Sequence, residues 1–203
     1  MLKLYYSPGA GSLSPHIALR EAGLPFELVQ VNLKDKKTKD GEDFLAINTK
    51  GYVPALRLND GYVLTEGPAI VQWIADQKPA LNLAPANGTP ERYRLQEWLS
   101  YIGAEIHKNF SPLFSPTTLE ASKTIARQTL VKRFAFADEK LEGKEYLLGS
   151  QFSVADAYLF TVTNWAGFVQ FDLKDYPHLR AHQARVGSRP HVQEALKAEG
   201  LTK

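Results

Sequence analysis

Cysteine is absent from this 203-residue sequence, and its absence rules out several kinds of chemistry. Without cysteine the chain has no disulfides, no cysteine-ligated zinc or iron–sulfur site, and no cysteine nucleophile. Any reaction that involves a thiol must therefore use a thiol that arrives with a ligand.

Long apolar runs and a strong excess of one charge are also missing. No run approaches the roughly 20 apolar residues of a membrane helix, and the N-terminus lacks the pattern of a secretory signal. We therefore expect a cytoplasmic protein with no membrane partner. Lys and Arg number 24 against 22 Asp and Glu. Because no dense basic patch accompanies this balance, we expect no nucleic-acid partner.

Near the N-terminus, residues 5–16 connect a strand pattern to a helix pattern. Residues 2–6 are mostly apolar, as in a short strand, and residues 17–22 are typical of a helix. The connection contains Pro8, Gly9 and Gly11, which allow a sharp turn, and Ser12 stands where a helix N-cap is expected. A strand that turns into a helix in this way directs backbone N–H groups at one point, which favours an anion.

The patterns up to residue 77 follow the order β-α-β-α-β-β-α. Two strands joined by a helix predict a parallel pair with a right-handed crossover. The predicted elements after the first helix are a strand at 26–31, a solvated charged loop at 34–43, a short helix at 43–48, a hairpin at 55–64 and a helix opened by residues 65–68. Parallel strands followed by an antiparallel hairpin form the α/β thioredoxin-like arrangement. Thioredoxins have two cysteines where the first helix begins, and this chain has none.

Residues 78–89 are rich in Pro, Ala, Asn and Gly, which indicates a linker. They divide the chain into a thioredoxin-like domain at 1–80 and an all-helical domain at 88–203. In the second domain Ser153 and Asp156 form a capping-box pattern. Asp156 can be interpreted as a catalytic acid or as a helix cap, and we favour the cap. The apolar steps predict long helices through Leu95, Trp98, Leu99, Ile102 and Ile106, ended by Pro112 and Pro116; through Ile125, Leu130, Phe134, Ala137 and Leu141; and after Ser153, with two more beyond Pro177 separated near Arg189 and Pro190.

Several short motifs, in their order and spacing, resemble the bacterial beta class of glutathione transferases over essentially the whole chain. The motifs are Tyr6-Ser7-Pro8-Gly9-Ala10 with Ser12-Leu13, Val53-Pro54-Ala55-Leu56, Leu64-Thr65-Glu66-Gly67, Glu97-Trp98-Leu99, Glu105-Ile106-His107-Lys108, and Phe152-Ser153-Val154-Ala155-Asp156-Ala157-Tyr158. The resemblance implies the two-domain fold of that family, glutathione as co-substrate, no metal, and a homodimer. It implies conjugation of the glutathione thiolate to electrophilic, mostly apolar small molecules. The alternatives are a non-catalytic protein that binds glutathione or hydrophobic ligands, and a stress-related interaction module on the same fold.

The resemblance also implies a set of glutathione-binding residues. Val53 offers backbone groups to the cysteinyl part, as a strand edge offers them to a peptide. Glu66 pairs with the γ-glutamyl amine, the helix start at Gly67 receives the adjacent carboxylate, and Lys36 binds the glycine carboxylate. Lys36 can equally be a solubilising residue. The full set is Gly11, Ser12, Lys36, Val53, Glu66, Gly67, Ser100, His107 and Lys108.

Gly11 is the main departure from the beta class, which usually has cysteine at this position. This departure leaves three candidates for activating the thiol of bound glutathione. Ser12 is the first choice, Tyr6 is the second, and His107 lies near the thiol in the relatives. N-capping is the structural alternative for Ser12, and it leaves the hydroxyl proton available. For the second substrate we expect an apolar pocket, although core packing explains Phe114 and Trp165 about as well. The pocket candidates are Phe110, Phe114, Trp165 and Phe168.

Overall fold

The computed structural model describes residues 1–202, which form two compact units. One unit contains residues 1–84 together with 189–202, and the other contains residues 85–188. None of the helices within the described residues is both long enough and apolar enough to cross a membrane.

The first unit is a mixed sheet with helices, and it contains the predicted thioredoxin-like order. The elements are β1 (Leu2–Tyr6), α1 (Leu13–Glu21), β2 (Phe26–Asn32), β3 (Lys37–Thr38), α2 (Phe44–Ile47), β4 (Ala55–Arg57), β5 (Val63–Thr65), α3 (Gly67–Asp76) and, from the end of the chain, α9 (Pro190–Ala198). The strand order is β3-β2-β1-β4-β5. β1 pairs with β2 in parallel, and β4 pairs with β1 and β5 in antiparallel fashion. The predicted parallel pair and hairpin are thus confirmed.

Within the segment predicted to be a solvated loop, a short strand is present. β3 pairs with β2 through Val31 opposite Thr38, and Thr38 is buried. The chain reverses direction at Lys36, which adopts a φ of 58°. Period-2 alternation cannot predict a strand of two residues, because the alternation needs at least four.

One face of the sheet packs on an apolar cluster made by β1, β2, β4 and α2. The cluster consists of Tyr5, Val29, Val31, Phe44 and Ala55. α1 packs against both α3 and α9. The turn between β1 and α1 thus joins the sheet to this layer of packed helices.

The second unit consists of helices. They are α4 (Pro90–Tyr101), a π-helical segment (Ile102–His107), α5 (Lys108–Phe114), α6 (Glu120–Leu141), α7 (Val154–Phe168) and α8 (Pro177–Gly187). Pro112 lies inside α5, so the prediction that it ends the helix was wrong. The helix ends at Phe114, where Ser115 turns to extended backbone before Pro116.

α6 and α7 have the predicted apolar stripe and cap, with one exception. The buried stripe of α6 begins at Ala126, and Ile125 is exposed. Asp156 accepts hydrogen bonds from the N–H and Oγ of Ser153, both at Oδ2, and from the N–H of Leu147 at Oδ1. Asp156 is fully buried, and the capping box confirms the structural interpretation of this acid.

α9 lies in the first unit, whereas the linker-based division placed it in the helical domain. The reason is its polar contacts with α1 and the turn before it. Arg189, which precedes α9, makes a bidentate ion pair with Glu21 at 2.7 and 2.8 Å. Glu199, which follows α9, bonds to His16 on α1. Contacts so distant along the chain leave no local sequence signal.

Candidate glutathione site

At the turn between β1 and α1, two backbone N–H groups are available to a ligand. The N–H groups of Gly11 and Ser12 have no acceptor within residues 1–202. α1 follows directly, and its N-terminus carries a partial positive charge. The turn therefore presents two donors at a positive helix end, as expected of an anion site.

The Ser12 hydroxyl holds this turn together rather than capping the helix. It accepts a hydrogen bond from the Ser7 N–H and donates to the Ser7 carbonyl oxygen, each at 3.2 Å. No cap bond from Ser12 Oγ to α1 is present, and the residue is fully buried. Ser12 therefore occupies the expected N-cap position, but its hydroxyl makes no cap bond and its proton is donated to Ser7. Donation from Ser12 Oγ to a ligand requires the bond to Ser7 to open.

Tyr6 is the other hydroxyl candidate in this unit. Its side chain is 8% exposed, and its hydroxyl has no hydrogen-bond partner in the part of the chain that the structure describes. Burial, assisted by the nearby Glu199 carboxylate, raises the pKa of the Tyr6 phenol. Tyr6 is therefore a neutral O–H group at pH 7.

A buried carboxylate from beyond α9 supports the same turn. Glu199 Oε2 accepts a hydrogen bond from the Gly9 N–H at 2.9 Å, and Oε1 lies 2.8 Å from His16 Nδ1. His16 Nε2 accepts from Arg20 Nε at 2.9 Å. Because Nε2 accepts, the imidazole proton is on Nδ1 and points at Glu199. Leu201 also covers Gly9, which has a φ of 70°. Sequence reasoning missed Glu199, because only the fold brings it to Gly9.

The segment before β4 has the form expected for binding an extended peptide. The Val53–Pro54 bond is cis. Neither the N–H nor the C=O of Val53 has a backbone partner among the described residues. Lys36, predicted to bind a carboxylate, donates from Nζ to the Gly51 carbonyl at 2.7 Å. Its ammonium therefore lies beside this segment.

Glu66 precedes α3 in a left-handed conformation, with a φ of 68°. Its Oε1 atom receives Lys50 Nζ at 2.6 Å and the Tyr52 hydroxyl at 3.3 Å. The hydrogen bond from Lys50 lowers the pKa of the Glu66 carboxyl. Oε2 has no partner within residues 1–202, so this oxygen is available to an amine. Sequence reasoning did not identify Lys50, because a separation of 16 residues has no helical or strand periodicity.

The start of α3 has one available donor. The N–H groups of Ala69 and Ile70 bond to the Glu66 carbonyl, and Pro68 has no N–H. The Gly67 N–H has no acceptor in the described chain. A β-carbon at this position would lie 3.9 Å from Pro54, so the site has room for a side chain that the sequence lacks.

His107 ends the π-helical segment of the second unit. Its Nδ1 lies 2.8 Å from the Tyr158 hydroxyl of α7. Its ring packs edge-on against that of Trp165, with ring centroids 4.6 Å apart. Burial, reinforced by the neighbouring Lys108 charge, lowers the pKa of His107 to about 4. His107 is therefore neutral at pH 7. Lys108 and Ser100 are both exposed.

Three of the four pocket candidates lie together. Trp165 contacts Phe110 and Phe114, with ring centroids 5.5 and 5.6 Å apart. Phe110 is fully buried, so it supports the other two rings and does not line a surface, whereas Phe114 is 49% exposed. Phe168 is 68% exposed, and no ring contact joins it to the others within the described residues.

Comparisons with known proteins agree with this architecture. Two family models match: the glutathione S-transferase N-terminal domain over residues 12–77 and the C-terminal domain over residues 101–190. Glutathione S-transferase GstA of Escherichia coli O157:H7 is 48% identical over 98% of this chain and 100% of its own. The structure of BphK, a bacterial glutathione transferase in a ternary complex, is 60% identical with a TM-score of 0.97 over 98% of this chain and 100% of its own. A sphingomonad glutathione S-transferase solved with glutathione is 50% identical, with a TM-score of 0.95 over the same shares. This chain belongs to the glutathione S-transferase family.

Proposed function

We infer that this chain is a glutathione S-transferase, which joins the sulfur of glutathione to an electrophilic carbon of an apolar small molecule. Whole-chain relatives with this name support the activity. The single observation that carries the site is the pair of available N–H groups, on Gly11 and Ser12, at the positive end of α1. In the reaction the thiolate forms a C–S bond while the leaving group departs with the bonding electron pair.

We propose that the available polar groups of the first unit bind the ends of glutathione. The Val53 backbone pairs with the cysteinyl residue, and Glu66 Oε2 accepts from the γ-glutamyl ammonium. The Gly67 N–H binds the carboxylate beside that ammonium, while Lys36 binds the glycine carboxylate. The observation in support is that three of these groups have no partner within the described residues, and that the Lys36 ammonium bonds to the carbonyl of Gly51, two residues before Val53.

Thiol activation is proposed to depend on donors, because no cysteine is present. The thiol of a free cysteine has a pKa of about 8.5, and lowering it by one unit requires about 1.4 kcal/mol of preferential thiolate stabilisation. The N–H groups of Gly11 and Ser12 and the α1 terminus are suited to supply this energy. The Ser12 hydroxyl, Tyr6 and His107 remain the candidates for a further donor.

Trp165 and Phe114 are proposed to bind the apolar second substrate, and Lys108 and Ser100 are proposed to contribute to glutathione binding. A homodimer is proposed as well. An aromatic group on α4 and α6 is suited to an interface, because Trp98, Tyr101 and Phe136 make mutual ring contacts of 5.0 to 6.0 Å while Phe136 is 41% exposed. Sedimentation equilibrium tests the dimer, and a monomer at micromolar concentration would exclude it.

Conjugation of glutathione to an aryl halide tests the proposed function. We expect turnover by the wild-type chain. We expect a rise of about one unit in the kinetic pKa of the bound thiol when the donor closest to sulfur is removed. The three variants are Ser12→Ala, Tyr6→Phe and His107→Asn. Absence of turnover with several electrophiles would contradict the proposed activity, and unchanged rates in all three variants would contradict the assignment of the donors.

A further inference from the structure

Tyr158 and His107 form a side-chain pair. What His107 can do in the reaction depends on which of its two ring nitrogens carries the proton. Tyr158 lies on α7 and is only 4% exposed. Its hydroxyl oxygen is 2.8 Å from Nδ1 of His107, and the two rings meet at 67° with centroids 5.8 Å apart. The other ring nitrogen, Nε2, has no hydrogen-bond partner in residues 1–202.

The surroundings of His107 keep its ring neutral. Burial lowers the pKa of the imidazole, and the positive charge of Lys108, its neighbour along the chain, lowers it further. The carboxylate of Glu105 is paired with Arg133 Nε of α6 at 2.6 Å, so it does not neutralise a protonated imidazole. From α7 the ring is faced by Tyr158 and Trp165, which are both uncharged. A neutral imidazole carries a single N–H, on either Nδ1 or Nε2.

Hydrogen-bond chemistry selects between the two tautomers. A phenol O–H is a stronger acid than an imidazole N–H, and an imidazole nitrogen lone pair is a better acceptor than a phenol oxygen. The favoured arrangement therefore has the Tyr158 O–H donating to Nδ1. The imidazole proton is then on Nε2, the nitrogen without a partner in the described chain.

We propose that Tyr158 is a positioning residue, which holds His107 in the Nε2–H tautomer. If His107 serves the thiol, as proposed above, it does so as a hydrogen-bond donor and not as the base that removes the thiol proton. The role toward sulfur rests on the proposed function, whereas the tautomer is a property of the protein alone. In this role the thiol proton leaves to solvent, because a protonated Nε2 cannot accept it.

Nitrogen chemical shifts of the histidines test the tautomer without glutathione. We expect a long-range ¹H–¹⁵N spectrum at pH 7 to show a protonated Nε2 and an unprotonated Nδ1 for His107. In Tyr158→Phe the tautomer ratio should move about tenfold toward Nδ1–H, the factor expected for losing one hydrogen bond. Tyr176→Phe is the matched control, because this buried tyrosine of the same unit donates to the Val131 carbonyl and does not contact His107. A protonated Nδ1 in the wild-type chain would overturn the proposal.

Replacement of His107 by two amides separates a donor from a base. The side-chain NH₂ of glutamine can reach the place of Nε2, whereas that of asparagine reaches only the place of Nδ1. A donor role predicts that His107→Gln keeps the kinetic thiol pKa within about 0.3 units of wild type, while His107→Asn raises it by about one unit. Equal loss in both variants would overturn the donor role. An Nε2–H tautomer in a chain that neither binds nor conjugates glutathione would instead refute the proposed function, and the role toward sulfur with it.

Discussion

Replacing Glu199 with glutamine should strongly destabilise the first unit, although the two side chains have nearly the same shape. The Glu199 carboxylate accepts a partly buried hydrogen bond from the Gly9 N–H and a fully buried one from His16 Nδ1. A glutamine has one acceptor oxygen and one NH₂ donor. Whichever way the amide points, one of the two donors, Gly9 N–H or His16 Nδ1–H, faces another donor.

His16 cannot relieve this conflict by moving its own proton. The alternative tautomer would place the N–H on Nε2, which already faces the Nε–H of Arg20 at 2.9 Å. An unsatisfied buried donor costs about 1–3 kcal/mol, and the remaining bond loses its charge assistance. We therefore expect Glu199→Gln to lower the free energy of unfolding by roughly 2–4 kcal/mol.

Glu194→Gln is the matched control. Glu194 lies on α9, is bonded to the same arginine at 3.2 Å, and has a side chain that is 54% exposed. Exposed ion pairs contribute about 0–1 kcal/mol, so this variant should unfold close to wild type. Urea denaturation measures both variants. Amide hydrogen exchange at Gly9 should accelerate only in Glu199→Gln, because only that variant weakens the acceptor of the Gly9 N–H.

A double variant tests the reasoning about the tautomer. In Arg20→Met with Glu199→Gln, Nε2 no longer faces a donor, so His16 can accept the glutamine NH₂ at Nδ1. The double variant should therefore be destabilised by less than the sum of the two single changes. If Glu199→Gln unfolds within about 0.5 kcal/mol of Glu194→Gln, the carboxylate does not hold the turn and the argument fails.

Three further predictions concern the other site residues. Between pH 7 and pH 4, the wild-type chain should lose about 3 kcal/mol more of its free energy of unfolding than His107→Asn. His107 takes up a proton near pH 6.5 in the unfolded chain and only near pH 4 in the folded chain. Equal pH profiles of stability for wild type and His107→Asn would therefore contradict the pKa assigned to His107. Lys50→Met should raise the pKa of the Glu66 carboxyl in an NMR titration, because its main hydrogen bond is lost; an unchanged value would show that the pair is not formed in solution. Phe114→Ala should raise KM for an aryl electrophile by about two- to tenfold, the factor for lost ring contacts, with KM for glutathione unchanged. Phe168→Ala, which removes an exposed ring without such contacts, is the control, and equal effects would contradict the pocket.

Local signals in the sequence were sufficient for most of the fold. The parallel pair, the hairpin, the capping box of α7 and the break before Pro190 all follow from periodicity, turn residues and cap residues. The errors have local causes. Pro112 is tolerated within α5, and Ile125 has the apolar character of a core residue but lies one position away from the buried stripe of α6. Periodicity assigns a helix more reliably than it assigns the edge of its buried face.

The site was less predictable, because its contacts join residues far apart in the chain. Ser12 was predicted as a thiol donor, with N-capping as the alternative; it lies at the N-cap position of α1, but its hydroxyl closes the turn to Ser7. An N-cap preference cannot distinguish these roles, since both place a serine at the same position. The contacts of Lys50 with Glu66 and of Glu199 with Gly9 span 16 and 190 residues. Only the folded chain brings such groups together.

The absence of cysteine gives the backbone of the β1–α1 turn a larger role. Gly11 has no side chain that could contribute a thiol or a hydroxyl, and the Ser12 hydroxyl is hydrogen-bonded to Ser7. The donors that remain in this turn are backbone N–H groups, whose direction depends on the conformation of the turn. The Glu199 carboxylate, which accepts from the Gly9 N–H, and the Ser12 hydroxyl, which bonds to Ser7, therefore determine where these donors point. It follows that conservative changes at Glu199 should impair thiolate stabilisation as well as folding, whereas changes at exposed Glu194 should impair neither.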